Sequence, residues 1–410
     1  MVPSRPRPSG IDRPGPGSLS RSAPPSPPTV PDRDPIRAAR PGVSRPPSSV
    51  SRRDLFRFRP SRGAEGSDPA EPPPALDRVN GGDLILARRP AMGSYFDVRI
   101  PARTPGAAAL AQSALDLIDA IEHRLTIYRD DSEVSLVNAS AHERPVPVSA
   151  ELFELIALGV RLGEQTEGAY DVASGALSLA WGFIRGPKRV PTPEELADAR
   201  SRSGRHRLRL DPEARTVAFD RPGVVLNFGA IGKGYAIDRV AELIKGYWFP
   251  TGALVHGGQS SLYAIGSPPD HFGGRWQIRV ANPFDPGRPV GTLHLRNRGL
   301  ATSGSSIQRF EAGGRVYSHL IDPRTGRPIG EDSPASVTVL APTAAEADAL
   351  STAFSVLGPE GAAPILRERS DVGALFVLPS GDGDRPALAT FNLTDRDFAA
   401  DALDGAADSP

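Results

Sequence analysis

From Asp83 onward the chain is built of short apolar runs separated by turn residues, and the period of each run predicts its element. Leu84-Ile85-Leu86-Ala87 and Tyr95-Phe96-Asp97-Val98-Arg99-Ile100 alternate as half-buried strands do. Between positions 107 and 125, Leu110, Ala114, Leu117, Ile118, Ile121 and Leu125 recur at three- and four-residue steps, which predicts an amphipathic helix. A second helix is expected over 150–166. Residues 205–219 read as a hairpin, with 206–210 and 216–219 flanking the turn residues Asp211-Pro212-Glu213. The apolar run at 224–228 predicts a strand, and 234–244 returns to helical spacing. Further strands are expected at 253–265, 276–281, 292–295, 337–340 and 374–378. Strands and helices mix without a strict β-α-β rhythm, so the class expected is α+β.

The first 82 residues break this pattern. Nineteen of the 44 prolines lie before position 81, aliphatic clusters are nearly absent, and 14 arginines stand against 8 acidic residues. A segment of that kind buries too little apolar surface to offset its chain entropy. The organisation expected is therefore a disordered Pro/Arg/Ser-rich arm over 1–82, one domain over 83–398, and a disordered acidic tail over 399–410. Within the arm, Ser51-Arg52-Arg53-Asp54-Leu55-Phe56 has the form of a twin-arginine export signal. The apolar stretch such a signal needs is replaced by Arg57, Arg59, Pro60 and Arg62. A cytoplasmic protein is expected, with export by that signal as the alternative.

Charge and cysteine content narrow the chemistry. Lys plus Arg equals Asp plus Glu, 48 each, which leaves no global field to draw nucleic acid. With no cysteine there is no thiolate nucleophile, no cysteine metal site and no lipid-anchored N-terminal Cys. No apolar run approaches the roughly 20 residues that span a bilayer.

Three segments could carry chemistry. In Asn227-Phe228-Gly229-Ala230-Ile231-Gly232-Lys233-Gly234-Tyr235 an apolar run enters a glycine-punctuated turn and then a helix, which suits a diphosphate beside a lysine and equally suits a plain helix entry. In Ala344-Ala345-Glu346-Ala347-Asp348-Ala349-Leu350-Ser351-Thr352-Ala353, Asp348 and Thr352 share a helix face, as hard-oxygen ligands for Mg²⁺ or as a solvated Asp and a back-bonding Thr. The third joins Thr302-Ser303-Gly304, read as a hydroxyl-rich loop, to Tyr317-Ser318-His319-Leu320-Ile321-Asp322-Pro323-Arg324-Thr325-Gly326-Arg327-Pro328. There His319 could accept a proton from an alcohol or serve as a capping residue.

Taken in order, these segments resemble the family of FAD:protein FMN transferases. The resemblance also takes in Ala91-Met92-Gly93-Ser94-Tyr95, Leu125-Thr126-Ile127-Tyr128, Ser132 to Asn138, Tyr170-Asp171-Val172-Ala173-Ser174-Gly175-Ala176-Leu177, Trp181-Gly182-Phe183 and Gly257-Gly258. It implies mixed sheets and helices in two lobes around an FAD cleft. It implies that Met92, Tyr128, Ala173, Ser174, Gly175, Asn227, Lys233 and Ile321 contact FAD, and that Ala230 (through its carbonyl), Asp348, Ser351 and Thr352 hold Mg²⁺. His319 is implied as the base in a transfer of FMN from FAD to a Thr or Ser hydroxyl of an acceptor flavoprotein, with release of AMP. Asn227 stands where the family has Asp, Gln259 and Ser260 where Asn or Asp is usual, and Gly232 where Ala is usual. A flavin-binding protein without turnover and an FAD pyrophosphatase are the alternatives.

Overall fold

The computed structural model describes residues 75–79, 83–247, 252–269, 274–304, 309–380 and 386–401. The twin-arginine motif and most of the arm lie outside the described residues. In chain order the elements are β1 (Ala75–Val79), β2 (Leu84–Ala91), β3 (Ser94–Pro101), α1 (Ala107–Leu125), α2 (Glu133–Ser140), β4 (Val146–Pro147), α3 (Ala150–Gln165), α4 (Gly175–Ala180) and α5 (Pro193–Ser201). Then come β5 (Leu208–Asp211), β6 (Thr216–Phe219), α6 (Gly232–Gly246), β7 (Gly252–Gly257), β8 (Ser261–Gly266), β9 (Trp276–Val280), β10 (Gly291–Leu295) and β11 (Arg298–Gly304). The last are β12 (Arg309–Ala312), β13 (Arg315–Ser318), β14 (Ile321–Asp322), β15 (Arg327–Pro328), β16 (Ser336–Ala341), α7 (Ala344–Glu368), β17 (Gly373–Leu378), β18 (Ala387–Phe391) and β19 (Phe398–Ala400).

Nine strands form one antiparallel sheet in the order β1-β2-β3-β7-β8-β11-β16-β17-β18. Both faces of its centre are covered. On one face Phe96, Val98, Val255, Val337 and Val339 pack with α1, α3, α6 and α7, whose buried residues include Ile118, Ile156, Ile237 and Phe354. On the other, Leu254, Leu262, Leu300, Leu340 and Leu375 meet Trp276, Leu293 and Leu295 of the small sheet β19-β10-β9. That is why β16 is buried at every position instead of alternating.

Two tight connections bring chain to one end of the sheet. Met92 and Gly93 join β2 to β3 with φ of 49° and 70°, the paired left-handed conformation of a two-residue hairpin turn. Gly258 and Gln259, with φ of 67° and 58°, open the turn between β7 and β8, so the expected single strand over 253–265 is a hairpin. The two turns are neighbours, since Gly258 donates its N–H to the Tyr95 carbonyl at 2.9 Å.

Four other expectations change. Residues 224–228 alternate in burial as a strand would, yet make no ladder. Leu226 N donates to Asn138 Oδ1 at 2.8 Å, Asn138 Nδ2 to Leu226 O at 3.2 Å, Asn227 N to Val172 O and Gly175 N to Val225 O, so side chain and loop satisfy the backbone instead. Thr302-Ser303-Gly304 is no loop; it ends β11, a central strand between β8 and β16. The folded part begins ahead of position 83, because β1 pairs with β2 from Ala75↔Arg88 to Val79↔Leu84. At the other end Ala399 and Ala400 belong to β19 and pair with Thr292 and Gly291 of β10.

Candidate active site

The sharpest convergence lies where α6 and α7 begin. The turn before α6 is shaped by Asn227, whose Oδ1 accepts the Gly229 N–H at 3.0 Å. That role needs only an oxygen acceptor, which Asn supplies as well as Asp. Gly232 N then donates to Phe228 O at 2.7 Å, and the helix starts at Ile231 with no side-chain cap and no acidic residue in its first turn. Ala230 lies in this turn, half-buried.

Asp348 reaches this start from α7. The residue is 4% exposed, and its Oδ2 accepts the Gly234 N–H at 3.2 Å while lying 3.7 Å from Lys233 Nζ. Oδ1 accepts from Ser261 Oγ of β8, also at 3.2 Å. The Lys233 stem runs over the β7–β8 turn: a Cβ at Gly258 would sit 3.4 Å from Lys233 Cδ and 3.4 Å from Ser94 Oγ. That is ordinary contact, so glycine is favoured there by its φ of 67° and not by space.

The next turn of α7 adds hydroxyls. Ser303 Oγ on β11 lies 2.8 Å from Ser351 Oγ and 3.2 Å from Thr352 Oγ1. Both α7 hydroxyls also bond back to the Asp348 carbonyl, at 2.9 and 3.3 Å. One buried carboxylate, two hydroxyls on its own helix and a carbonyl in the facing turn are hard oxygen donors, the kind Mg²⁺ prefers. Among the described residues no group of three or more His, Cys, Asp or Glu could hold a metal. The donor set therefore fits a cation that takes few protein ligands and completes its shell with water and phosphate, and does not fit a carboxylate-caged one.

The other expected residues sit on separate supports. Ala173 is fully buried, its N–H held by Asp171 Oδ1 at 2.8 Å, and burial raises the pKa of the Asp171 carboxyl. A Cβ at Gly175 would lie 2.7 Å from Val225 O, so that glycine admits neighbouring chain. Ser174 between them is half-buried and bonds Asp171 O at 2.7 Å. Through Gly175–Val225 and Val172–Asn227 this loop is tied to the glycine turn. Tyr128, past the end of α1, is 65% exposed. Met92 forms the β2–β3 turn already described. His319 is half-buried and placed by β13, not by the α6–α7 pair, and Ile321 follows in β14. The Asp322–Gly326 turn is pinned from outside by Trp181 Nε1, which donates to Gly326 O at 2.8 Å. Trp181 also packs on Tyr317 at 5.4 Å, so the Trp-Gly-Phe segment supports the hairpin leading to His319.

Three residues of this region went unread in the sequence as individual participants: Ser261, Ser303 and Asp238. Ser303 lay inside the Thr-Ser-Gly segment. Asp238 carried a signal in its spacing, one helical turn after Gly234 on a predicted helix, which puts a small residue and an acid on one face.

A family model described as the ApbE family matches residues 92–376. The chain belongs to the ApbE family. The protein named FAD:protein FMN transferase from Salmonella typhimurium is 31% identical over 318 residues, covering 74% of this chain and 88% of that protein. Among solved structures, the flavin transferase ApbE from Vibrio cholerae superposes with a TM-score of 0.66 at 29% identity, covering 75% of this chain and 97% of that one. The flavinyl transferase ApbE of Pseudomonas stutzeri gives the same TM-score at 31% identity, covering 75% and 94%. The α+β architecture expected from the sequence is that of these ApbE structures.

Proposed function

We propose that this protein is a Mg²⁺-dependent FAD:protein FMN transferase, which moves FMN from FAD to a Thr or Ser hydroxyl of an acceptor flavoprotein and releases AMP. The names of its relatives support the transfer. The observation that carries the finer reading is the Asp348 carboxylate, buried against the uncapped start of α6 between Lys233 Nζ and Gly234 N. A helix start with an open N–H at Lys233 and that residue's ammonium suits a diphosphate, and a carboxylate in that place adds negative charge unless a cation joins the pair.

In this reading the Lys233 ammonium and backbone N–H at the start of α6 orient the diphosphate, and Tyr128 and Met92 border the flavin. The acceptor oxygen attacks the FMN-side phosphorus, the bond from that phosphorus to the AMP oxygen breaks, and the acceptor proton passes to the His319 imidazole. Asp348, Ser351, Thr352 and the Ala230 carbonyl would hold Mg²⁺, which supplies charge neutralisation of the diphosphate. Lys233 stabilises charge on the leaving side.

The test is incubation with FAD, MgCl₂ and a flavoprotein acceptor carrying the target Thr or Ser. The expected result is AMP release matched by flavin fluorescence on the denatured acceptor, abolished by EDTA. AMP and FMN produced at the same rate without acceptor would make the protein a pyrophosphatase. FAD bound but never cleaved would make it a binding protein.

A further inference from the structure

We propose that Asp238 is a positioning residue whose carboxylate clamps the first turn of α7 to α6 and so sets the reach of Asp348 toward Lys233. Asp238 is 7% exposed, and its two oxygens accept the N–H groups of Ala344 and Ala345 at 2.7 and 2.8 Å. One turn earlier on α6, a Cβ at Gly234 would lie 2.2 Å from Ala344 O and 2.7 Å from Ala345 Cα. The same two residues of α7 are therefore held by a backbone contact and by a carboxylate. From the sheet side, a Cβ at Gly299 of β11 would lie 2.4 Å from Ala344 N, so Ala344 is enclosed by α6 and by the sheet.

The arrangement is reciprocal. Asp238 on α6 bonds backbone donors in the first turn of α7, and Asp348, one turn into α7, bonds a backbone donor, Gly234 N, in the first turn of α6. Both links are one turn long, so together they fix the helices in register as well as in distance. Without the Asp238 link, the Asp348 carboxylate would be the sole side chain of this pair of acids joining the helix starts, and it is the group the proposed chemistry needs in place.

This inference rests on the proposed transfer reaction for its kinetic readout, and on FAD binding for a readout that does not. Asp238→Asn keeps size but turns one of the two acceptors into a donor facing an N–H; Asp238→Glu keeps both acceptors and lengthens the arm. Thr343→Ala is the control, since the Thr343 hydroxyl caps α7 through Glu346 N at 3.1 Å and Glu346 Oε2 at 3.3 Å, within its own helix. Transfer rate, half-activating Mg²⁺ concentration and FAD affinity by flavin fluorescence, with Mg²⁺ and with EDTA, would be measured well below the unfolding temperature of each variant. For both Asp238 variants the expected result is a kcat at least tenfold lower and a severalfold higher Mg²⁺ requirement. FAD affinity is expected to fall with Mg²⁺ and to change little in EDTA. Thr343→Ala should lose thermal stability and keep all three values. Should Asp238→Asn fail to fold, Asp238→Glu decides. Variants that only unfold more easily, with kcat, Mg²⁺ requirement and FAD affinity within twofold of the parent, would overturn the proposal. A parent protein that binds FAD with Mg²⁺ and transfers nothing would overturn the function instead, leaving the clamp to be judged on binding alone.

Discussion

The two helices that meet at the site begin in opposite ways. At the start of α7 the donors are spent: Thr343 Oγ1 takes Glu346 N, Asp238 takes Ala344 N and Ala345 N, and Ala347 N bonds Thr343 O at 3.2 Å. At the start of α6, Ile231 offers no side-chain cap; Gly232 N bonds Phe228 O and Gly234 N bonds Asp348, so among the described residues only the Lys233 N–H of that turn is left open, beside the Lys233 ammonium. A helix start serves as an anion site only through those N–H groups that are unclaimed. The difference therefore separates an anchor from a working end, although a sequence motif search would treat both as helix entries. It also sorts the glycines, because Gly234 admits the backbone of α7 while Gly258 supplies the left-handed turn beside the lysine stem.

The strongest way to break the comparison is to remove the one group the two starts share. In Asp348→Ala, Gly234 N and Ser261 Oγ lose their acceptor and Lys233 loses its counter-charge. Transfer should fall by roughly 10²–10³-fold, the scale seen when one charge-stabilising group is deleted from an active site. AMP release under saturating FAD checks this, and activity within tenfold of the parent would detach Asp348 from the chemistry.

Next in size is the pH response of the anchored end. Burial pushes the Asp238 carboxyl up to about 7, against the opposing pull of its two backbone bonds and of Arg239, with Glu242 adding to the rise. Because the folded value lies above the ordinary 3.8, the folded protein binds this proton more tightly than the unfolded chain. Its contribution to stability is complete below about 4 and is lost as pH rises through about 7, a change on the order of a few kcal/mol. Urea unfolding of the parent and of Asp238→Asn across that window gives the test. The parent's stability relative to the variant should decline with rising pH, and a flat difference would mean the carboxyl titrates at its ordinary value. The clamp itself needs the ionised form, so stability and positioning make opposite demands on this residue.

How much of this was legible in the chain depended on where partners lie. Strands such as β2 and β3 alternate because one hairpin neighbour and one core face decide them locally. β11 was missed because Thr302, Ser303 and Gly304 lack aliphatic alternation. Its hydroxyls are satisfied by Thr338 at 2.9 Å and by Ser351 and Thr352, which only the fold brings near. Residues 224–228 mislead in the reverse sense, with an apolar run that suits a strand and no strand to pair with. In the site, Asp348 and Thr352 were readable because i,i+4 spacing places them on one face. For Asp238 the spacing from Gly234 marks a shared face but not a role, since its oxygens meet backbone donors 106 and 107 residues away and no side-chain type marks those positions.

A smaller effect is expected where the two helices touch. Gly234→Ala should raise helix propensity by about 1 kcal/mol, but its Cβ would meet Ala344 O at 2.2 Å, and backbone cannot give way as a side-chain tip can. Overpacking of this kind costs roughly 1–3 kcal/mol, so the net change should be destabilising. Because the displaced atom belongs to the residue Asp238 holds, the transfer rate should fall as well. Thermal unfolding alongside AMP release checks both, and a stabilised, fully active variant would show that the helices are free to separate.

The smallest effect should sharpen the contrast without touching the chemistry. Thr343→Ala deletes the side-chain cap of α7, a loss of about 1 kcal/mol for a Thr at that position. Ala344 N and Ala345 N would still be held by Asp238, so the first turn should stay in place and the loss should fall at the low end of that range. Transfer should be unchanged, because the Thr343 hydroxyl bonds Glu346 within its own helix. In Asp238→Asn the same substitution should cost more, since one remaining cap then carries the whole first turn. A double-mutant cycle on the unfolding free energies measures that coupling. Additive losses would mean that the two caps act independently and that the α7 start is held by the Gly234 and Gly299 contacts alone.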